Sequence, residues 1–469
     1  MKKTLHSFFL LATLLPLFIC VAELNLNLPQ PNASHIQVSA AASPFSSTLK
    51  ARKSGLSILR KFRRTGQVIE DPEINLWIRS IGNRLVSRAL QSTSPFYFLI
   101  SKDTSINAFA TEGGVIVVNA GLILKSSSES EVAAVIAHEI AHVTQRHISR
   151  MRDKAKGSKL GTNAALIAGM IASTQNPQAG QAILNTAIAT MAHNQLSFSR
   201  EAESEADREG LRILTRAGFN PLAMPSILQK LEQFANTENE EIREFLQKHP
   251  LTHRRVTDTL SRAKRLGRFR GKESKHYLFI REKIRASTKT LLTTPNKVPA
   301  HIKKYSIAQQ LMQRKSFIKA LQVSNIKGSH IPEALMVAQL LGKTKQFKKS
   351  LDILQPLYGL YPSHQPIILS LAQTYSALSM HQKAWDTIKH INPSEQTSLE
   401  FFEVKQSIAQ LARQPSQAYY ASALRNIRIA NYKIAKTQIK KAIKLSRNSH
   451  QARKMKQDLF LLDGFMKTK

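Results

Sequence analysis

With 469 residues the chain is too long for one ordinary hydrophobic core, and its 42% hydrophobic content excludes a disordered protein. Its 68 Lys+Arg against 31 Asp+Glu give a formal net charge of +37, densest in the C-terminal part, which points first to nucleic acid. No nucleic-acid recognition motif accompanies that charge, so no nucleic acid is expected as a partner. An anionic membrane surface or acidic client segments fit better, and a generally basic set of proteins in the source organism would give the same excess.

Met1-Lys2-Lys3 is a basic start, Phe8 to Ile19 an apolar run, and Cys20-Val21-Ala22 a set of small residues before Glu23. This reads as a signal peptide over residues 1–22, cleaved after Ala22, because a run of about a dozen apolar residues is short for a bilayer. An uncleaved anchor and a lipid-modified Cys20 are the alternatives, and Phe18-Ile19 argue against the second. Cys20 is the single cysteine, so the cleaved protein has none. That excludes a disulfide-stapled fold and suits the periplasm, an oxidising compartment. Residues 23–49, polar and carrying Pro29 and Pro31, read as a flexible lead-in.

Asp71 before Pro72 predicts a capped helix start, with apolar residues near helical spacing through Val86. Phe96 to Ile100 follows as a strand. The Gly113-Gly114 pair between two apolar runs predicts a hairpin over Asn107 to Asn119, with Val115 to Val118 the strongest strand of the chain.

The next segment is the apolar Ser130 to Ala137 followed by His138-Glu139-Ile140-Ala141-His142. Imidazoles four residues apart share one face of a helix, so both can reach a single Zn²⁺ at about 2.0–2.1 Å. Glu139, between them, would lean over the open metal position and take a proton from its water. In a chain with 15 His this pattern arises by chance only about once in fifty. A catalytic zinc needs a third protein ligand, expected from a separate helix. Ala202 to Ala217, ended by Gly218, supplies Glu203-Ser204-Glu205-Ala206-Asp207. One face of that helix can offer a carboxylate to the metal and, four residues on, Asp207 to a ligand imidazole. Spacing alone leaves Glu203 and Glu205 open as the ligand. Between the two helices, the apolar Ala164 to Ala172 is too short to cross a membrane and reads as a buried or lid helix.

The last third repeats. Ala338 and Ala372 are 34 residues apart, and each has a small residue twelve positions on, Ser350 and Ala384, with Leu354 and Ile388 four further along. This is the period of the tetratricopeptide helix pair, in which small residues let two helices approach closely. Ala308 with Ala320, and Ala423 with Ala435 and Ile439, are degenerate versions, while Tyr375 and Trp385 are expected to fill the repeat core.

His-Glu-x-x-His followed about sixty residues later by Glu203-x-x-Ala206-Asp207 resembles the zinc metallopeptidases of the HtpX and CAAX-prenyl-protease type. The resemblance implies that Glu203 is the third zinc ligand and that Val115 to Val118 is an edge strand receiving a substrate peptide by β-addition. It also extends to His249-Pro250 and Arg255, which in that family lie near the metal and stabilise the transition state. In the family's periplasmic branch the corresponding His instead takes the fourth zinc position and holds the enzyme inactive. His147, His193 and His253 match nothing in the family and are expected as surface or core residues.

The expected protein is α+β and mostly helical: a zincin-like metallopeptidase domain with a small sheet at 50–285, a linker at 286–300, and an all-α tetratricopeptide solenoid at 301–469. Metal ligands are His138, His142 and Glu203 for one Zn²⁺; catalytic residues are Glu139, Asp207, His249 and Arg255. Likeness to the periplasmic branch implies an endopeptidase with a chaperone role. Its clients would be unfolded or stalled outer-membrane β-barrel proteins, and its repeats would meet the barrel-assembly machinery. The alternatives are a tetratricopeptide chaperone with a normally inactive zinc site and a general periplasmic oligopeptidase.

Overall fold

The computed structural model describes residues 44–89, 95–111, 113–151, 199–236, 240–267, 269, 271–288, 298–324 and 330–467. The expected signal peptide, the lead-in up to residue 43, His193 and the tract Ala164 to Ala172 lie outside the described residues. Helix α1 (Pro44–Arg64) begins inside the stretch expected as a flexible lead-in. Helix α2 (Pro72–Val86) starts as its sequence dictates: Asp71 Oδ1 accepts the backbone N–H of Glu73 at 2.9 Å and of Ile74 at 3.0 Å.

Strands β1 (Tyr97–Ser101), β2 (Ala108–Ala110) and β3 (Val115–Asn119) form one sheet in the order β1-β3-β2, with β3 parallel to β1 and antiparallel to β2. Gly114, at φ +76°, makes the expected hairpin turn, where a Cβ would also collide with the Pro95 carbonyl. The expectation that Val115 to Val118 is an edge strand is corrected here: β3 is the central strand, bonded on both sides. Both of its faces are buried. Ile116 and Val118 join the main core, while Val115 and Val117 pack with Leu59 of α1, Val68, Tyr97 and Leu99.

The outer edge of β1 is closed. Ile69 N–H donates to Ile100 O at 2.9 Å and Lys102 N–H to Gln67 O at 2.7 Å. Further along, the Gln396 amide accepts from Phe98 N–H at 2.9 Å and donates to Phe96 O at 3.3 Å. Among the described residues the open edge therefore belongs to β2. Ladder bonds from Asn119 N–H to Asn107 O and from Thr111 N–H to Val115 O turn the polar groups of Phe109 towards β3, so those of Ala108 and Ala110 face outward.

Helices α3 (Ala120–Lys125), α4 (Glu129–Thr144), α5 (Arg200–Arg216), α6 (Ala223–Asn236), α7 (Glu240–Lys248), α8 (His253–Arg265) and α9 (His276–Ser287) follow. Side chains from α2, α4, α5, α6 and α9 and from one face of the sheet share the main core, which includes Ile78, Ile100, Ile136, Leu214, Ile227 and Ile280.

The C-terminal region is helical: α10 (Ala300–Gln313), α11 (Phe317–Val323), α12 (Ile331–Lys343), α13 (Phe347–Leu360), α14 (Gln365–Ala377), α15 (His381–Ile388), α16 (Leu399–Leu411), α17 (Pro415–Arg428), α18 (Tyr432–Leu445) and α19 (Ser449–Lys467). The small pairs Ala308/Ala320, Ala338/Ser350, Ala372/Ala384 and Ala423/Ala435 are all buried. They lie on the helix pairs α10/α11, α12/α13, α14/α15 and α17/α18. Each pair turns through a left-handed residue seven positions after its first alanine: Lys315, Lys345, Ser379 and Ala430. Helices α16 and α17 continue the spacing, with the left-handed Arg413 34 residues after Ser379 and the buried Ala418 34 after Ala384, and the loop before α16 carries Gln396 to the sheet. Trp385 is buried in this region's core with Tyr375 packed against it.

Helix α9 belongs to both parts. Tyr277, Ile280 and Ile284 sit in the peptidase-side core, whereas Phe279 packs with Ile302 and Tyr305 of α10. It also runs to Ser287, past the expected boundary at residue 285.

Candidate metal centre

Ser128 caps α4 by accepting the N–H of Glu131, and Ser199 caps α5 by accepting that of Ala202. Within α5, Gly210 lets the two helices touch: a Cβ there would stand 3.1 Å from the backbone N and Cα of His138. That approach places the buried Glu203 opposite the His138–His142 face of α4.

The Nε2 atoms of His138 and His142 face each other at 3.0 Å. Glu203 Oε1 is 3.3 Å from His142 Nε2, and Oε2 is 3.5 Å from His138 Nε2. Donors bound at about 2.05 Å around a tetrahedral ion stand about 3.3 Å apart, so these three fit Zn²⁺. His249, at the end of α7, contributes a fourth donor: the ligand atoms of His138, His142, Glu203 and His249 all lie within 4.8 Å of one another. Its Nδ1 is 3.1 Å from Glu203 Oε1 and its Nε2 is 3.5 Å from Glu139 Oε1. The structure thus selects Glu203 over Glu205 for this cluster.

Behind the donors lies a charged layer. Asp207 Oδ1 is 3.0 Å from His138 Nδ1, as expected for a carboxylate that fixes the tautomer of a ligand imidazole. Arg255 spans both oxygens of Asp207, with Nε–Oδ2 at 2.7 Å and Nη2–Oδ1 at 2.8 Å. Its Nη1 reaches Glu203 Oε2 at 2.6 Å and Pro250 O at 2.9 Å. This guanidinium is engaged by carboxylates that support the donors, which makes Arg255 a clamp on the ligand set.

Burial disfavours charge on His138, but hydrogen bonds to Asp207 and Glu203 outweigh it and hold the imidazole up at about 10. A field that retains a proton so firmly also favours a cation in its place. Burial keeps His142 well below the usual imidazole range, leaving a neutral lone pair. Glu203 stays well below the usual carboxylate range despite its burial, because three imidazoles surround it, His249 foremost. For Glu139 burial wins and raises the carboxyl, against the pull of His249 and His138, towards the range useful to a general base. Its Oε1 is buried with no hydrogen-bond partner among the described residues, as a group held ready for a ligand would be. The Ala110 backbone N–H bonds this same carboxyl, which ties Glu139 to the open edge of β2.

Two expected surface or core residues divide. His253 is exposed beside Glu232, whereas His147 is buried against His142, with Nδ1–Nδ1 at 2.9 Å. Glu205 pairs with His147 and Arg150 instead of joining the donors. Spacing could not find His147, since five residues along a helix rotate a side chain by about 140°.

Residues 72–263 match the model of Peptidase family M48. The chain is similar to the β-barrel assembly-enhancing protease of Escherichia coli, 39% identical over 209 residues, which are 44% of this chain and 42% of the relative. That of Yersinia pestis is 36% identical over 226 residues, 48% and 46% of the two chains. The mitochondrial metalloendopeptidase OMA1 of Arabidopsis thaliana is 30% identical over 195 residues, 40% and 36%. The chain spans less than half the length of each of these relatives. Every donor of the buried cluster lies within residues 72–263, the segment that matches Peptidase family M48.

Proposed function

We propose that the protein is a zinc-dependent endopeptidase of the periplasm that acts on unfolded or stalled outer-membrane β-barrel proteins. The observation that carries the peptidase reading is the buried constellation of three mutually spaced donors with Glu139 beside them. His138 and His142 through Nε2, and Glu203 through its carboxylate, would hold the ion. When bound, zinc supplies an acidic water and polarises a carbonyl. Glu139 accepts a proton at Oε1 and delivers it to the leaving amine. Asp207 keeps the Nδ1 proton of His138 in place, and Arg255 holds Asp207 and Glu203 in register. The backbone groups of Ala108 and the carbonyl of Ala110 face outward for an extended substrate strand, next to Glu139. His249, lying between Glu139 and Glu203, closes the site until it moves.

The client class rests on the names of the bacterial relatives and on the repeated helix pairs, whose 34-residue period supports tetratricopeptide units that grip extended segments and meet the barrel-assembly machinery. The basic N-terminus and apolar run support secretion. Glu139→Gln tests the reading. Cleavage of an unfolded β-barrel protein should fall about 10²–10⁴-fold while one zinc per chain is retained. Undiminished cleavage by that variant overturns it.

A further inference from the structure

The two ligand histidines of α4 are supported differently. His138 Nδ1 meets a carboxylate directly, whereas His142 Nδ1 meets a second imidazole, that of His147, at 2.9 Å. We propose that His147 is a positioning residue for the metal, joining His142 to Glu205 through a two-step hydrogen-bond relay. The inference rests on the zinc reading above.

The relay has one consistent arrangement of protons. His142 faces the metal position through Nε2, so its proton resides on Nδ1 and is donated to His147. His147 must then accept at Nδ1 and carry its own proton on Nε2, which lies 3.1 Å from Glu205 Oε2. Glu205 accepts that proton's hydrogen bond and is held in turn by Arg150 Nη2 at 2.9 Å. The donor chain thus runs outward from the buried His142 to Glu205, whose side chain is 35% exposed.

The backbone is shaped for this contact. A continuous helix would turn His147 about 140° away from His142. Instead α4 stops at Thr144, and Arg146 adopts φ +56°. A non-glycine residue in the left-handed region costs about 1 kcal/mol or more, and here it folds the chain so that His147 returns beneath His142. Burial of His147, the strained turn and an anchored carboxylate are more than a filler histidine requires.

The experiment compares zinc affinity of the native chain, His147→Ala and Glu205→Gln by chelator competition, alongside the melting temperatures of the metal-free proteins. We expect His147→Ala to weaken zinc binding by roughly ten- to a hundredfold. Glu205→Gln, at a half-exposed site that cannot collapse the fold, should weaken it several-fold, and millimolar imidazole should restore part of the affinity of His147→Ala. Native affinity in both variants overturns the relay. So does a loss in His147→Ala that imidazole leaves untouched, since that marks a merely structural side chain. A native chain that binds no zinc defeats the parent reading instead, so the two failures are distinct.

Discussion

Gly210 lies against the backbone of His138, where an added Cβ would stand 3.1 Å from both N and Cα. That contact sets the spacing between the helix bearing two ligands and the helix bearing the third. Gly210→Ala should gain about 1 kcal/mol of helix propensity and lose a similar amount in separating α4 from α5. Thermal stability of the metal-free protein is therefore expected to change little, while zinc affinity falls about tenfold as Glu203 is displaced. A variant with native zinc affinity would show that the close approach is not what positions Glu203.

His249 stands between the carboxyl that would handle the proton and the carboxylate that would bind the ion. Removing a side chain that blocks the substrate should raise the rate of cleavage. We expect His249→Ala to cleave an unfolded client roughly tenfold faster than the native chain, read from initial rates with zinc occupancy matched. Loss of cleavage would instead assign His249 to transition-state stabilisation.

Lys405 of α16 gives a pH signature far from the metal. Burial, reinforced by Lys454, pulls its ammonium down to about 8. Its Nζ lies over the rings of Trp385 and Phe401, 3.4 Å from the carbonyls of Lys389 and Ile391. Below pH 8 both folded and unfolded chains are protonated here, and the full cost of the buried charge is present. Between about 8 and the ordinary lysine value of 10.5 the unfolded chain holds more protons, so this cost disappears as pH rises. Lys405→Met should therefore be more stable at pH 7, by up to about 3 kcal/mol, with the difference shrinking towards pH 10. Denaturant midpoints at both pH values check it, and a pH-independent difference would exclude titration of Lys405 as the cause.

Much of this was legible because close packing restricts residue choice. The alanines twelve apart in the repeats mark helix crossings that tolerate no larger side chain, and each was found buried. Asp71-Pro72 and His138-to-His142 likewise carry local geometry in the spacing itself. Helix α16 escapes the sequence pattern because Gln406 stands 34 residues after Ala372, where the two preceding repeats carry alanine. The family resemblance implies an edge for Val115 to Val118, whereas its unbroken apolar character is what a strand covered on both faces requires. His147 was invisible to periodicity because its contact depends on a left-handed turn at Arg146, where no glycine announces one.

Helix α9 places Tyr277 and Ile284 in one hydrophobic core and Phe279 in the next, while Lys283 bonds Glu73 of α2 at 2.7 Å and Glu282 accepts from Ser306 of α10 at 2.9 Å. Neither part can lose this helix without exposing its own apolar interior, so melting of the repeats and melting of the metal-bearing half are thermodynamically linked. A chain cut near residue 300 would leave Phe279 bare and weaken the zinc site whatever the C-terminal helices bind. Testing the proposed client role apart from proteolysis calls for point changes on the surface of the C-terminal helices, with α9 and its partners left whole.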